Sequence, residues 1–400
     1  MNHTTKQANR TTRSYLDWAA TAIPDSIDAA ILDKAGISAF ANPSSLHEEG
    51  RRAREALENA RARCAAVLGV APDTLYFTSG GTESNALVLH SLLRRQGKAP
   101  LLYSAAEHPS VRENCLALET LGFPVSAIPL EKDGRVSAET LARSIEKRPD
   151  VRFAAIMGVN NETGSVNNIA SLANLLRAHQ RKTSKPIHLH CDMVQALGKI
   201  PLDLGGWGVD SASFSAHKLG GLRGIGLLYL KKPLSVLAVG GGQEHGIRSG
   251  TENTLGALSF ADVIEHRAAP SIVQDEHRKA FQRLAYLTAK LKAIPRCKLI
   301  PIDRDLDDDS LTSRFSPWIV QVRFQGVPGE VMQRALNDEG IAISTGAACS
   351  SASKERPALA AMGLSKSDQL EGVRISQGWS TTQADFDALL SAIEKTLSFL

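Results

Sequence analysis

Short apolar runs rich in β-branched residues recur through the first 270 positions, separated by longer amphipathic stretches. The runs are TLYFT (74–78), LLYSAA (101–106), FPVSAIPL (123–130), VRFAAIMGV (151–159), IHLHC (187–191), SASFSA (211–216) and GIGLLYL (224–230). Helical patterns lie between them, among others over residues 45–68 and 169–182. Alternating strand and helix signals predict a mainly parallel sheet covered by helices, an α/β architecture. From about residue 274 the texture changes. A long amphipathic helix (275–294), a strand (318–324), a helix (330–340), strands at 341–344 and 373–378 and a closing helix (385–399) predict a smaller α+β domain. No internal repeat or low-complexity segment interrupts the pattern.

Composition narrows the class. With 400 residues, 43% of them hydrophobic, the chain can bury a large core, and the length suggests two or three domains. Its 46 basic and 42 acidic residues leave a net charge of +4 spread through the chain. That balance gives no basic block, so no nucleic-acid partner is expected. No apolar run reaches the roughly 18 residues of a membrane span, so no membrane partner is expected either. The start, MNHTTKQANRTTR, is polar and has no apolar signal core, which makes the cytoplasm the expected location. It also lacks acidic residues, which leaves a short transit segment open beside the preferred reading, a frayed terminus. The five cysteines (Cys64, Cys115, Cys191, Cys297 and Cys349) stand far apart, form no CxxC pair and are odd in number. A disulfide framework or metal site is therefore not expected.

Four stretches carry chemistry. TLYFT runs into SGGTES (79–84) and then a helical pattern, so Gly81 and Thr82 fall at a strand-to-helix turn. Such a turn lets backbone N–H groups approach a phosphate, although a plain tight connection looks the same. It is neither a Walker loop nor GxGxxG, which disfavours a nucleotide. Asp192 follows the strand IHLHC at the carboxyl end where α/β folds place their sites, with Gln195 on the same face of the next turn. A carboxylate there suits a protonated pyridine nitrogen, and equally suits a helix cap. In SFSAHKLGG, Lys218 follows a second apolar strand, with Ser215 and His217 as natural phosphate ligands. A buried lysine there can form a Schiff base; an exposed loop lysine is the plainer alternative. Finally, Cys349 lies in STGAACSSASKERPALAAMG (344–363), where small residues suggest an exposed loop suited to a nucleophilic thiol, with an inert packed cysteine as the equal alternative.

Together with YLDWAAT (15–21), NPSSLHEEGRRARE (42–55), FTSGGTESN (77–85), AEHPSV (106–111), VNNETG (159–164), HCDMVQALGK (190–199), GGGQEHGIRSGTEN (240–253) and VRISQG (373–378), these stretches fall in one order. That order resembles the cysteine desulfurases of the NifS/IscS type, in the class V aminotransferase superfamily, from Tyr15 to the C-terminus. The resemblance implies fold type I of the pyridoxal-phosphate enzymes, with a seven-stranded mainly parallel sheet, a small domain built from both chain ends and a homodimer. The corresponding divisions are a polar segment (1–14), the first part of the small domain (15–30), the large cofactor-binding domain (31–270) and the small domain with the cysteine loop (271–400).

The resemblance also assigns roles. Lys218 would bind pyridoxal 5'-phosphate, Asp192 the pyridine nitrogen and Gln195 the ring hydroxyl, with His108 stacked on the ring. The turn at Gly81 and the side chains of Thr82, Ser215 and His217 would hold the phosphate, and Thr251 would reach the phosphate of the neighbouring subunit's cofactor. Asn161 would face cofactor and substrate, Arg374 the substrate carboxylate, and Cys349 would accept sulfur in a loop longer than the RxGHHC form of the SufS group. The implied reaction takes sulfur from L-cysteine, leaves L-alanine and places a persulfide on Cys349 for a sulfur-acceptor or scaffold protein, as in iron–sulfur cluster or thio-cofactor synthesis. A selenocysteine lyase, a class V aminotransferase and a catalytically silent scaffold are the competing readings. The chain departs from the family's LDNAATT at Trp18 and Ala22, beside the expected site entrance, from its HVNNE at Gly158, and after VRISQG at Trp379 and Ser380. Cys191, beside Asp192, reads as a packed residue rather than a second acceptor.

Overall fold

The computed structural model describes residues 13–24, 39–302, 304, 314–346 and 356–399. The strands in chain order are β1 (Ser14–Tyr15), β2 (Leu75–Thr78), β3 (Leu101–Ser104), β4 (Val125–Ile128), β5 (Phe153–Ala155), β6 (His188–Asp192), β7 (Ser211–Ser215), β8 (Gly226–Leu230), β9 (Cys297–Ile300), β10 (Ile319–Phe324), β11 (Ile341–Ala342) and β12 (Gly372–Ser376). The first helices are α1 (Glu48–Leu68), α2 (Gly81–His90), α3 (Pro109–Thr120), α4 (Ala138–Lys147) and α5 (Ile169–Thr183). After them come α6 (Thr254–Ala268), α7 (Pro270–Ala293), α8 (Gly329–Asp338), α9 (Pro357–Ala361), α10 (Lys366–Glu371) and α11 (Gln383–Phe399).

Seven strands form the main sheet in the order β2-β8-β7-β6-β5-β3-β4. Only β8 runs antiparallel to its neighbours, β2 and β7. The run at 151–159 yields the short strand β5, because the chain leaves the ladder after Ala155. Its later N–H groups still find partners, Ile156 on His190 O at 3.0 Å and Gly158 on Asp192 O at 2.9 Å. That detour carries Met157 and the segment behind it to the carboxyl end of β6.

A cluster with Tyr76, Leu89, Leu101 and Phe153 fills one face of the main sheet, and two further apolar cores bear on the site. One runs from Leu57 through Leu102, Leu189 and Phe214 to Phe260 and packs helices on the main sheet. The other gathers Leu16, Leu284, Leu299, Val322, Phe324 and Phe386 around the β12-β10-β9 sheet. The N-terminal β1 pairs in parallel with β11, so both ends of the chain enter the second core.

Local chemistry sets the helix ends. α1 starts where His47 accepts from Gly50 N, has Glu48 and Glu49 in its first turn, and stops at Gly69, whose φ of 65° is open to glycine without strain. From this helix Arg61 reaches inward, 1% exposed, and forks onto Glu244 at 2.7 and 2.9 Å. Arg61 also donates to Leu75 O at 2.8 Å, while Glu244 accepts from Phe77 N at 2.7 Å. The pair thus fastens the glycine-rich segment around Glu244 to β2, whose end carries the Gly80–Gly81 turn. Glu244→Gln is expected to leave the guanidinium partly unpaired and to cost about 3–5 kcal/mol of stability, read as a lower midpoint in denaturant unfolding.

Candidate active site

The carboxyl ends of β2, β3, β5, β6 and β7 open on one cavity of about 330 Å³, the position an open α/β sheet gives its binding loops. Gly81, Thr82, His108, Asn161, Asp192, Gln195, Ser215, His217, Lys218 and Arg374 all line it. Thr251 does not: it is exposed, on the segment after Gly250. Cys349 lies outside the described residues, but Gly346 and Arg356, on either side of residues 347–355, both border the cavity.

Asp192 ends β6 and is 5% exposed. Its Oδ1 accepts from Val194 N at 3.0 Å and its Oδ2 from Asn85 Nδ2 at 2.8 Å, so each carboxylate oxygen keeps a donor. His108 follows β3 and caps α3: its Nδ1 accepts from Ser110 N at 3.1 Å and lies 2.8 Å from Ser110 Oγ. Burial lowers its pKa against the pull of Asp192, with Lys218 acting in the same sense as burial. Beside it Glu107 is buried; burial, then the nearby Asp192 charge, pushes its carboxyl well above the usual range. One of its oxygens accepts from Met157 N at 2.6 Å.

Lys218, just beyond β7, donates to Ala19 O and Ala20 O, both at 2.7 Å. The N-terminal segment 19–20 therefore forms a wall of the site. Gln195 donates to the same Ala19 carbonyl at 2.8 Å and accepts from Lys199 Nζ at 2.8 Å. Burial, then Lys218, Arg223 and Lys199, lower His217 to about 4, so its ring is neutral, 3.1 Å from Thr21 Oγ1. The turn is closed to side chains at Gly81, where a Cβ would meet Val194 Cγ2 at 2.6 Å, and from the facing strand at Gly226, where one would meet Gly80 Cα at 2.5 Å. Gly80 gives α2 no side-chain cap, which leaves the first-turn N–H groups to the cavity.

Arg374 comes from β12 in the other core and is 3% exposed. It donates to Asp17 Oδ1 at 2.8 Å and to Asn161 O at 2.9 Å, and its Nε is buried without a partner. Arg356 is spanned by Glu162 at 2.6 Å and by the carbonyls of Gln369 and Gly372. It is a clamp on the segment's end rather than an open cation.

The departures noted in the sequence have packing causes except Ser380, which is exposed and which nothing in the structure explains. Trp18 is not at an entrance but 4% exposed, its ring 6.0 Å from Trp379, which in turn packs 5.1 Å from Trp318. A Cβ on Gly378 would fall 1.9 Å from the Trp18 ring, so the tryptophan depends on that glycine. Ala22 is also buried, and a Cβ on Gly158 would meet Met193 Sδ at 2.5 Å. Cys191 is fully buried in the main core, and burial pushes its thiol well above the ordinary value, as expected of a packed residue.

Sequence reading missed Asn85, Ser110, Glu107 and Lys199. The signal for two of them was helical spacing: Asn85 lies four residues after Gly81, and Lys199 four after Gln195.

Residues 14–389 match the class V aminotransferases. The NifS/IcsS protein homolog of Lactobacillus delbrueckii subsp. bulgaricus is 38% identical over 89% of this chain and 90% of that protein. Cysteine desulfurase IscS of Dictyoglomus turgidum is 32% identical over 96% and 95%. Among solved structures, a NifS-like protein superposes with a TM-score of 0.85 at 31% identity, covering 97% of this chain and 100% of that one.

The buried amine of Lys199 has a measurable consequence. Burial, then Lys218 and Arg374, lower it from 10.5 to about 7. Between these values the unfolded chain binds a proton that the folded protein does not, so this group adds stability as pH rises and penalises the fold most near pH 7. Lys199→Met is expected to gain stability over the parent near pH 7, and the gain is expected to shrink toward pH 10 when denaturant midpoints are compared.

Proposed function

The chain belongs to the class V aminotransferase family and is a cysteine desulfurase, and we propose that its reaction is carried by the cavity at the ends of β6 and β7, with Cys349 as the sulfur acceptor. The observation that carries this reading is the convergence of Asp192, Lys218, His108 and Arg374, from both cores of the molecule, on one space. The residues fit pyridoxal phosphate. Asp192 offers an acceptor-only carboxylate, Lys218 an amine, and the uncapped start of α2 with Thr82, Ser215 and His217 a cradle for a phosphate. When bound, that cofactor supplies an electron sink for the pair left at the substrate α-carbon.

The chain's own residues do the rest. Arg374 receives the L-cysteine carboxylate on its paired N–H groups, in competition with Asp17. Lys218 Nζ takes the α-proton, and the carbonyls of Ala19 and Ala20 hold it in line. The Cys349 thiolate attacks the substrate sulfur, whose bond to carbon breaks. L-cysteine and the Cys349 thiol thereby become L-alanine and a Cys349 persulfide, with no external oxidant. Four buried cysteines among the described residues leave Cys349 as the candidate, and free thiols of this kind suit the cytoplasm. Thr251 stands away from its own chain's cavity, and Phe40, Leu46 and Val239 are exposed, which favours a homodimer whose partner takes up Thr251. The sulfur then passes to an acceptor or scaffold protein.

Purified protein incubated with L-cysteine and a reductant is expected to release alanine and sulfide in equal amounts, and to be yellow from bound cofactor. Lys218→Ala is expected to lose both colour and turnover. Cys349→Ser is expected to bind cofactor but lose at least about 100-fold in sulfide release, with the extra sulfur atom found by mass spectrometry on the Cys349 peptide of the parent only. Full activity in Cys349→Ser would remove that residue from the mechanism.

A further inference from the structure

Asn85 lies one turn into α2 and is fully buried. Its Nδ2 meets Asp192 Oδ2 and Ser110 Oγ, both at 2.8 Å, and its Oδ1 lies 2.9 Å from His190 Nε2. A carboxylate only accepts, so the amide end facing Asp192 is the NH2 group. Both amide hydrogens are thereby used. Ser110 Oγ accepts one of them and has its own hydrogen for His108 Nδ1. That nitrogen also receives the Ser110 backbone N–H, which only donates. His108 Nδ1 therefore bears a lone pair, and its proton sits on Nε2.

The order continues behind Asn85. Its Oδ1 requires the hydrogen of His190 Nε2, which makes His190 Nδ1 the acceptor of the Ser211 hydroxyl at 2.8 Å. Ser211 Oγ in turn accepts from His188 Nε2 at 2.7 Å. Burial lowers both rings to about 3, and neutral rings are what this order needs. Each donor meets one acceptor along the whole line from β6 and β7 to the start of α3.

We propose that Asn85 is a positioning residue for the reaction, orienting Asp192 and, through Ser110, His108 as one hydrogen-bonded unit in which the Ser110 hydroxyl joins the Ser110 backbone N–H in donating to His108 Nδ1 and so supports the Nε2–H tautomer. The inference rests on the reading of this cavity as the reaction site, but it concerns which hydrogens the site's residues present. Its test uses no cysteine turnover, so the desulfurase reading and this one fail separately.

The holoenzyme labelled with 15N-histidine reports which ring nitrogen of His108 carries hydrogen, with the signal assigned by its loss in His108→Gln. The parent is expected to show a neutral ring protonated at Nε2. Asn85→Asp, of the same size, turns a donor into an acceptor. The Ser110 hydroxyl then turns toward it, His108 Nδ1 keeps only the backbone N–H of its two donors so that its nitrogen signal shifts while the ring stays protonated at Nε2, and pyridoxal-phosphate affinity falls by about tenfold or more in equilibrium dialysis. Ser110→Ala is expected to alter the His108 signals while affinity stays within about twofold, because Asp192 keeps its bond from Asn85. Asn85→Leu covers the case in which Asn85→Asp does not fold, with the same loss of affinity expected. A parent ring protonated at Nδ1, His108 signals unmoved by Asn85→Asp or Ser110→Ala, or an affinity unmoved by Asn85→Asp or Asn85→Leu would overturn the proposal.

Discussion

A carboxylate buried at the end of a strand must find donors inside the protein, since water is not there to supply them. Asp192 finds two, the backbone of Val194 and the amide of Asn85, and much of the site follows from that. The first donor requires the chain to turn immediately after β6, which sets Gln195 on its course. The second requires α2 to approach β6 closely. Glycines at the head of α2 make the approach possible, because Gly81 lies against Val194 and Gly226 against the backbone of Gly80 with no space for a Cβ. The need to keep one charge hydrogen-bonded thus also delivers an uncapped helix start to the same cavity.

The second core contributes by crossing over. β1 leaves its pairing with β11, and the chain then passes over the main sheet at Ala19 and Ala20, whose carbonyls receive Lys218 and Gln195. Arg374 reaches the cavity from β12 and is held by Asp17 of that same crossing segment. The tryptophans at 18, 379 and 318 fill the seam beneath it, and Arg267 lies 4.6 Å over the Trp379 ring. Groups of opposite ends of the chain are thereby set against each other by packing rather than by sequence neighbourhood.

Residue types at strand ends were legible in the sequence, and so was the alternation of layers. Asp192 and Lys218 stood out because each follows an apolar strand, and Gly81 because it opens a helix. What was not legible is who faces whom. Asn85 meets partners 105 and 107 positions away, and no spacing rule links them before β6 lies beside α2. The antiparallel sense of β8 was equally hidden, since GIGLLYL has the same apolar pattern in either direction. Trp18 looked like a departure beside the site entrance because its neighbour Trp379 and the bare Gly378 lie at the other end of the chain. Two unusual residues that compensate each other read singly as two anomalies.

The four buried cysteines have a meaning beyond packing. Burial pushes Cys64 and Cys297 up to about 12 and places the thiols of Cys115 and Cys191 higher than their ordinary value as well. A thiol that does not ionise is a poor recipient of sulfur, since exchange begins with a thiolate. A protein that carries a labile sulfur atom on one side chain faces a problem of traffic: every other thiol within it is a wrong destination. Here those destinations are closed by the same close packing that stabilises the sheets, so cargo bound outward has nowhere to stray within its own carrier.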